Sequence, residues 1–372
     1  MSDNDRIREI YLVVGDTGAA LDLVPVAREM EKRKICVKWF ADPNGRAKVD
    51  VLEKLGIAYS TQGPGEFEGS LPKVLLCGTS SGHAGLQVDW TNFCRGKGIP
   101  TYWFEDLWGT GEQANEDGAD PDVMLTLDDL AAKIARNKRP GRKTMIVRKP
   151  TFGKMPPMED IPAIRAETRA KLGVSEEQFL IGWGFQGNPE KMAPAHVGEI
   201  IREGLKLDDG MVVAWRPHPK HQMKDELWDK LIGSGIPYLE KAREVDLLNL
   251  YLSSNAVVVP FGATDGYKAV LRGIPTIVPI FPSGDLAMDL YDYDDYKARI
   301  TSGFIGGLPP LLMDAEWWGA KSAYDVLALL RRIREDEVSA RRSTIKIRAV
   351  PFMDLEKAAS ALLIADVIEN CL

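Results

Sequence analysis

Short runs of β-branched and aliphatic residues alternate along this chain with stretches whose apolar positions recur at helical spacing. The first run, Ile10–Val14 (IYLVV), stops at Gly15-Asp16-Thr17-Gly18; Leu21, Val24, Ala27 and Met30 then mark one face of a helix. Val37–Ala41 predicts a second strand, Val51–Leu55 a helix closed by Gly56, and Lys73–Cys77 a buried strand ending at Gly78-Thr79-Ser80-Ser81-Gly82. A helical stretch runs to Gly98, Pro100–Phe104 (PTYWF) predicts a strand, and Asp122–Leu125 another, with the start of a helix in the TLDDL that follows, Thr126–Leu130. Strands alternating with helices predict a parallel sheet covered on both faces. Right-handed crossovers then bring the glycine turns to one edge, at the carboxyl ends of the strands, where such sheets bind ligands.

The pattern breaks and then restarts. Ala135–Lys143 is basic and poor in apolar residues, and Val147–Pro157 holds Pro150, Gly153, Pro156 and Pro157, which suits a linker. Beyond it come a helix over Ile161–Leu172 ending at Gly173, a strand at Phe179–Trp183, a turn at Gly184-Phe185-Gln186-Gly187-Asn188 and a helix over Ala195–Leu205. Met211–Trp215 predicts a strand leading into Arg216-Pro217-His218-Pro219. Asp246–Leu252 predicts a short helix, Ala256–Pro260 a strand, and Phe261–Gly266 a turn opening a helix that runs to Gly273. Pro275–Phe281 is a last buried strand, and Asp354–Glu369 an amphipathic helix. Between these two, Asp289–Tyr296 (DLYDYDDY) reads as a solvated loop or a lid.

The grammar gives an α/β chain of two Rossmann-like, doubly wound parallel-sheet domains facing a central cleft. Expected bounds are residues 1–157 and 158–350, with a C-terminal helix in 351–372 packing back toward the first domain. A length of 372 residues suits two domains, and 45% hydrophobic with 27% charged residues suits two soluble cores. A formal net charge of -7 argues against nucleic acid or an anionic membrane as main partner. Four cysteines without a CxxC pair and only four histidines argue against a zinc site. Cys36 and Cys77, both inside apolar runs, are expected to be buried thiols in a reducing compartment. The polar N-terminus lacks a signal-peptide core, and no apolar run approaches the roughly 20 residues of a membrane span, so a cytoplasmic location without an integral membrane segment is expected.

Several stretches resemble the GT-B superfamily, and within it the non-hydrolysing UDP-N-acetylglucosamine 2-epimerases and related glycosyltransferases. Gly15–Met30 (GDTGAALDLVPVAREM) aligns without a gap on the epimerase opening GTRPEAIKLAPVIRAL, sharing Gly15, Ala20, Leu23, Pro25, Val26 and Arg28. GKGIPTYWFEDLWGT is similar to GIPVAHVEAGLRT, which puts Glu105 at that family's carboxylate. Arg216-Pro217-His218-Pro219 resembles the His-Pro motif of the second domain, and Gly262–Pro275 (GATDGYKAVLRGIP) follows SGGIQEEAPSLGKP. The departures are as specific. The epimerase Arg-Pro-Glu is Thr17-Gly18-Ala19 here, Gly-Asp-Thr-Thr is Gly78-Thr79-Ser80-Ser81, and the glutamate that holds the donor ribose is Lys268.

The resemblance and these departures together imply a GT-B glycosyltransferase that takes a sugar from a nucleotide-sugar, UDP-linked first, to an acceptor not identified by sequence. The alternatives are a nucleotide-sugar 2-epimerase or hydrolase, and a non-catalytic binding or scaffold protein on the same fold. No tightly bound cofactor is expected, nor a metal, and a homodimer is allowed. In the second domain, Gly184, Gln186, Gly187, Gly262, Thr264 and Asp265 place backbone N–H groups and a helix N-terminus against a diphosphate, with Arg216 and Lys268 as charge partners. Asp265 equally suits a helix cap, and Lys268 a solvated helix face. His218, fixed between two prolines, is a donor to phosphate or sugar, or a structural turn residue. In the first domain, Asp16, Thr17, Gly18, Ser80 and His83 line the expected substrate edge. Glu105 or Asp106 is the candidate general base, its pKa raised by burial beside Trp103 or Trp108.

Overall fold

The structure, a computed structural model, describes residues 8–80, 84–106, 118–151, 155–184, 210–216, 242, 244–259, 264–279, 319–320, 323–348 and 360–372. The chain divides into two compact units, Met1–Met155 with Asp354–Leu372, and Pro156–Met353.

Unit 1 is built on a seven-stranded, wholly parallel sheet. Its strands are β1 (Glu9–Val14), β2 (Cys36–Ala41), β3 (Tyr59–Ser60), β4 (Val74–Gly78), β5 (Thr101–Phe104), β6 (Val123–Thr126) and β7 (Thr144–Ile146), in the order β3-β2-β1-β4-β5-β6-β7. β1 and β4 are buried along their whole length, as the continuous apolar runs of a two-faced parallel sheet require. Register is direct: Leu12 lies beside Trp39 on one side and Leu76 on the other. Helix α1 (Thr17–Lys32) covers the sheet through Ala19, Ala20, Leu23, Val24, Val26, Ala27 and Met30. It approaches closely because Gly78 has no side chain: a Cβ there would stand 2.6 Å from the Ala19 Cβ. Tyr11, Phe40, Phe67, Trp90 and Phe93 pack edge-on or tilted around α2 (Gly85–Gly96), with ring centroids 4.7–5.9 Å apart.

Strand order reverses between β1 and β4, so the crossover helices leave toward opposite faces there. The carboxyl-end loops at that point, Gly15–Gly18 and Thr79–Ser80, flank a crevice of the kind that holds ligands in doubly wound sheets.

Unit 2 carries β8 (Phe179–Gly184), β9 (Met211–Arg216), β10 (Ala256–Val258), β11 (Thr276–Pro279) and the short β12 (Gly319–Ala320), all parallel, in the order β12-β11-β10-β8-β9. Its reversal falls between β8 and β10. Around this sheet lie α4 (Ile161–Leu172), α5 (Leu247–Ser253), α6 (Thr264–Leu271), α7 (Ala323–Glu335) and α8 (Glu337–Arg348). α4 starts with proline in its first turn and ends at Gly173 with φ 73°, the left-handed stop that glycine favours. Buried Arg169 ties it down, donating to the carbonyls of Ser253, Ser175 and Gln178 and to Asn255 Oδ1.

The sequence expectations hold for most strands and fail in particular places. Cys36 is exposed, because it opens β2 at the sheet's amino edge; Cys77 is buried as expected. The helix expected at Val51–Leu55 is a short π-helix over Lys48–Glu53. α3 (Asp129–Lys138) follows the helix start expected at Thr126–Leu130 and runs on into the polar stretch, with Ala131, Ala132, Ile134 and Ala135 buried; β7, which no apolar run announces, comes after it. The C-terminal helix α9 is described over Ser360–Glu369 and packs on α1 within unit 1, burying Ile364, Ala365 and Ile368. Arg33 bonds Asp366 at 2.7 Å and Glu369 at 3.0 Å at its end. The expected helix Ala195–Leu205 and the loop Asp289–Tyr296 lie outside the described residues.

Candidate active site

The site in unit 1 begins with two glycines. The Gly15 carbonyl lies so close to Gly45 that a Cβ on Gly45 would overlap it, and it also accepts from Ala47 N at 3.0 Å. The first loop is thereby clamped against the chain leaving β2. Asp16 stands at the cap position of α1 with extended backbone. Thr17 turns inward and donates to Asp50 Oδ2 at 3.0 Å. Gly18 leaves room for a carboxylate from another strand: a Cβ on it would meet Asp106 Oδ2 at 2.8 Å.

Asp106 follows β5 and is held from both sides. Thr79 Oγ1 donates to Asp106 Oδ1 at 2.7 Å and accepts from the Asp106 N–H at 3.1 Å. Lys149 Nζ donates to the Asp106 carbonyl at 2.6 Å. Lys149 is only 3% exposed and forms an ion pair at 2.8 Å with Asp22, a helix α1 residue that is 0% exposed. Thr151 completes Asp22, donating to Oδ1 from its N–H at 3.1 Å and its hydroxyl at 2.6 Å. Arg148, at φ 67°, takes a left-handed conformation that costs a non-glycine residue roughly 1–2 kcal/mol, and so turns the chain for Lys149 to enter the interior.

Burial raises the Asp106 carboxyl above the ordinary aspartate range. Lys149 and the Thr79 hydroxyl pull it back down, while Asp22 and Asp16 push it further up. A carboxylate with a raised pKa, held rigidly beside a glycine loop, is suited to accepting a proton.

Of the other predicted residues in unit 1, Ser80 is 2% exposed, and its hydroxyl has no hydrogen-bond partner among the described residues. Glu105, the residue placed by resemblance at the epimerase carboxylate, is 1% exposed and lies deeper than Asp106. His83 lies outside the described residues. The structure therefore brings together Gly18, Asp106 and the loop bearing Ser80. It also adds Thr79, Lys149 and Asp22, for which the sequence carried no chemical signal. Only Thr79, inside the Gly78–Gly82 turn, was within reach of a motif argument.

In unit 2, Gly184 ends β8 against the Tyr251 hydroxyl, where any side chain would overlap. Arg216 ends β9, the neighbouring strand; its Nη1 is buried and has no hydrogen-bond partner among the described residues. An unsatisfied guanidinium N–H at the carboxyl edge is a place for an anion to bind. Thr264 and Asp265 open α6, as the motif required, and Lys268 stands half-buried in its last turn. Gln186, Gly187, His218 and Gly262 lie outside the described residues.

Solved structures match over nearly the whole chain. A putative UDP-N-acetylglucosamine 2-epimerase from Listeria monocytogenes superimposes with a TM-score of 0.61 at 11% identity, covering 98% of this chain and 97% of that one. The Neisseria meningitidis UDP-GlcNAc 2-epimerase bound to UDP-GlcNAc gives 0.61 at 10% identity, over 97% and 100%. MurG from Acinetobacter baumannii gives 0.56 at 13% identity, over 98% and 99%. This chain has the GT-B fold. It matches no protein-family model and no curated protein sequence. At these identities the likeness carries architecture and leaves the chemistry to the residues. Among the described residues, no cluster of His, Cys, Asp or Glu is arranged to hold a metal, and no helix is long and apolar enough to cross a membrane.

Proposed function

We propose that the protein is a glycosyltransferase that moves a sugar from a nucleotide-linked donor, bound by unit 2, to an acceptor hydroxyl bound by unit 1, with Asp106 as general base. The observation that carries this reading is the placement of Asp106. It is a carboxylate with a raised pKa at the strand-order reversal, packed on Gly18 and fixed by Thr79 and Lys149. In the reaction, Asp106 takes the acceptor O–H proton while the oxygen bonds to the anomeric carbon. The bond from that carbon to the phosphate oxygen breaks, and its electron pair leaves with the nucleoside diphosphate. Arg216, Lys268 and the N-terminus of α6 are the groups in unit 2 that would meet the charge developing on the diphosphate.

The reading is tested with a panel of nucleotide-sugars, UDP-linked compounds first. A bound nucleotide at ~100 times its dissociation constant should stabilise the protein by roughly 2.7 kcal/mol. Arg216→Ala and Lys268→Ala should abolish that shift. Asp106→Asn should keep it while lowering kcat by roughly 100- to 10,000-fold. Deuterium appearing in the donor sugar from heavy water would make the protein an epimerase, and no stabilisation by any nucleotide would refute the donor assignment.

A further inference from the structure

The buried Ser80 hydroxyl has no part in the reaction as written above, yet it stands beside the candidate base. The polar groups around it are committed elsewhere. The Gly78 carbonyl accepts from Gln87 Nε2 at 3.3 Å, and the Thr79 N–H donates to the Phe104 carbonyl at 2.9 Å. Thr79 Oγ1 is engaged twice by Asp106. Ser80 itself is 2% exposed, and among the described residues its hydroxyl meets no partner. An unpaired buried hydroxyl destabilises the folded chain, and most buried polar side chains are paired. A substrate that supplies the missing partner recovers that loss on binding, which makes the site selective for it.

The place of Ser80 says which substrate. It follows β4, where strand order reverses and the carboxyl-end loops flank the crevice. Gly78 turns its bare side to Ala19 and Leu23 of α1, and strand alternation puts Ser80, two residues on, toward the same helix. Gly18, in the first turn of that helix, is where Asp106 Oδ2 packs. Ser80 is also the residue next to Thr79, which holds the Asp106 carboxylate, and consecutive Cα atoms lie only about 3.8 Å apart.

The chemistry of the missing partner follows from the surroundings. Asp22 and Asp16 already push the Asp106 carboxyl up, so the crevice disfavours an anion. An ammonium group only donates and would leave the serine O–H unpaired. A neutral hydroxyl both donates to and accepts from serine.

Resting on the transfer reading above, we infer that Ser80 determines acceptor specificity: it hydrogen-bonds a second hydroxyl of the acceptor ring while Asp106 deprotonates the first, so the acceptor is a neutral, polyhydroxylated ring of the sugar class.

The test uses the full chain with UDP present. Methyl glucopyranoside, methyl galactopyranoside and methyl mannopyranoside are compared with their monodeoxy analogues by saturation-transfer NMR titration, on wild type and Ser80→Ala. Tm and UDP stabilisation are measured on the same samples. At least one of the three glycosides should bind wild type, and removing one ring hydroxyl should weaken it roughly 10-fold, a difference worth about 1.4 kcal/mol. Ser80→Ala should bind that parent and that analogue alike. Without ligand, Ser80→Ala should melt roughly 2–4 °C above wild type, because alanine leaves no unpaired hydroxyl; a hydroxyl that serves the fold predicts a fall. Deoxy discrimination that persists in Ser80→Ala, a Tm that falls or does not move, or no binding of any of the three glycosides to wild type would overturn the inference. With UDP stabilisation retained, those results leave the transfer reading standing. If Ser80→Ala instead weakens UDP-glucose relative to UDP, the hydroxyl is the donor's and the acceptor assignment is wrong. Discrimination without stabilisation by any nucleotide would overturn the transfer reading and, with it, the acceptor role.

Discussion

Replacing Lys149 with methionine tests how the candidate base is held. The substitution keeps most of the buried stem and removes the ammonium. Among the described residues, Asp22, 0% exposed, then keeps only the two donors from Thr151, and the Asp106 carbonyl loses its 2.6 Å donor. Breaking a buried ion pair from one side leaves an uncompensated charge and costs roughly 3–5 kcal/mol. For a unit of this size each kcal/mol lowers Tm by roughly 2–4 °C, so a fall of roughly 6–20 °C is expected by calorimetry of the unit-1 transition. Asp22→Asn added to Lys149→Met removes the stranded charge while keeping an acceptor for Thr151. The double variant should therefore recover most of the loss, a coupling well above the 0.5 kcal/mol within which independent sites add. Even with stability restored, kcat should stay depressed, because the Asp106 backbone is no longer anchored. A Lys149→Met cost below ~1 kcal/mol, or no recovery on adding Asp22→Asn, would show that the pair is solvated and that the positioning argument is wrong.

Asp106→Asn should raise stability at neutral pH, since burial disfavours the charged carboxyl. The folded protein binds that proton more readily than the unfolded chain, so the gain should shrink as pH falls through the raised pKa toward the ordinary aspartate range; a gain independent of pH in urea titrations would contradict this. On the same grounds, the acid limb of the wild-type kcat/KM profile should lie above the ordinary aspartate range. Gly18→Ala places a methyl 2.8 Å from Asp106 Oδ2 and should lower kcat by at least ~10-fold with little effect on nucleotide binding, checked by steady-state kinetics beside UDP stabilisation. Gly78→Ala forces a Cβ to 2.6 Å from Ala19 between two rigid elements and should cost roughly 1–3 kcal/mol in urea denaturation. Arg33→Ala, at the partly exposed contact between α1 and α9, should cost only about 1 kcal/mol despite its two carboxylate partners.

The sequence by itself determined the parallel strands, because a strand covered on both faces must be apolar throughout, and IYLVV, KVLLC and FLIGW are hard to read otherwise. It determined the glycine turns that follow them, and with right-handed crossovers it placed those turns on one edge. Asp106 was within reach on that basis, as a carboxylate just past a buried strand. It did not determine β3, β7, α7 or α8. Those elements are short or strongly charged, and their existence depends on neighbouring strands and core faces that local pattern does not contain. Nor could it choose between Glu105 and Asp106: adjacent residues leaving a strand point to opposite faces, and only packing decided which one meets Gly18 and Thr79. Lys149 and Asp22 come from segments far apart in sequence, as |i−j| of 129 for Thr151 and Asp22 illustrates. A lysine in a proline-rich stretch and an aspartate in a helix look solvated in sequence. The folded chain buries both together, because each supplies the charge that makes burying the other tolerable.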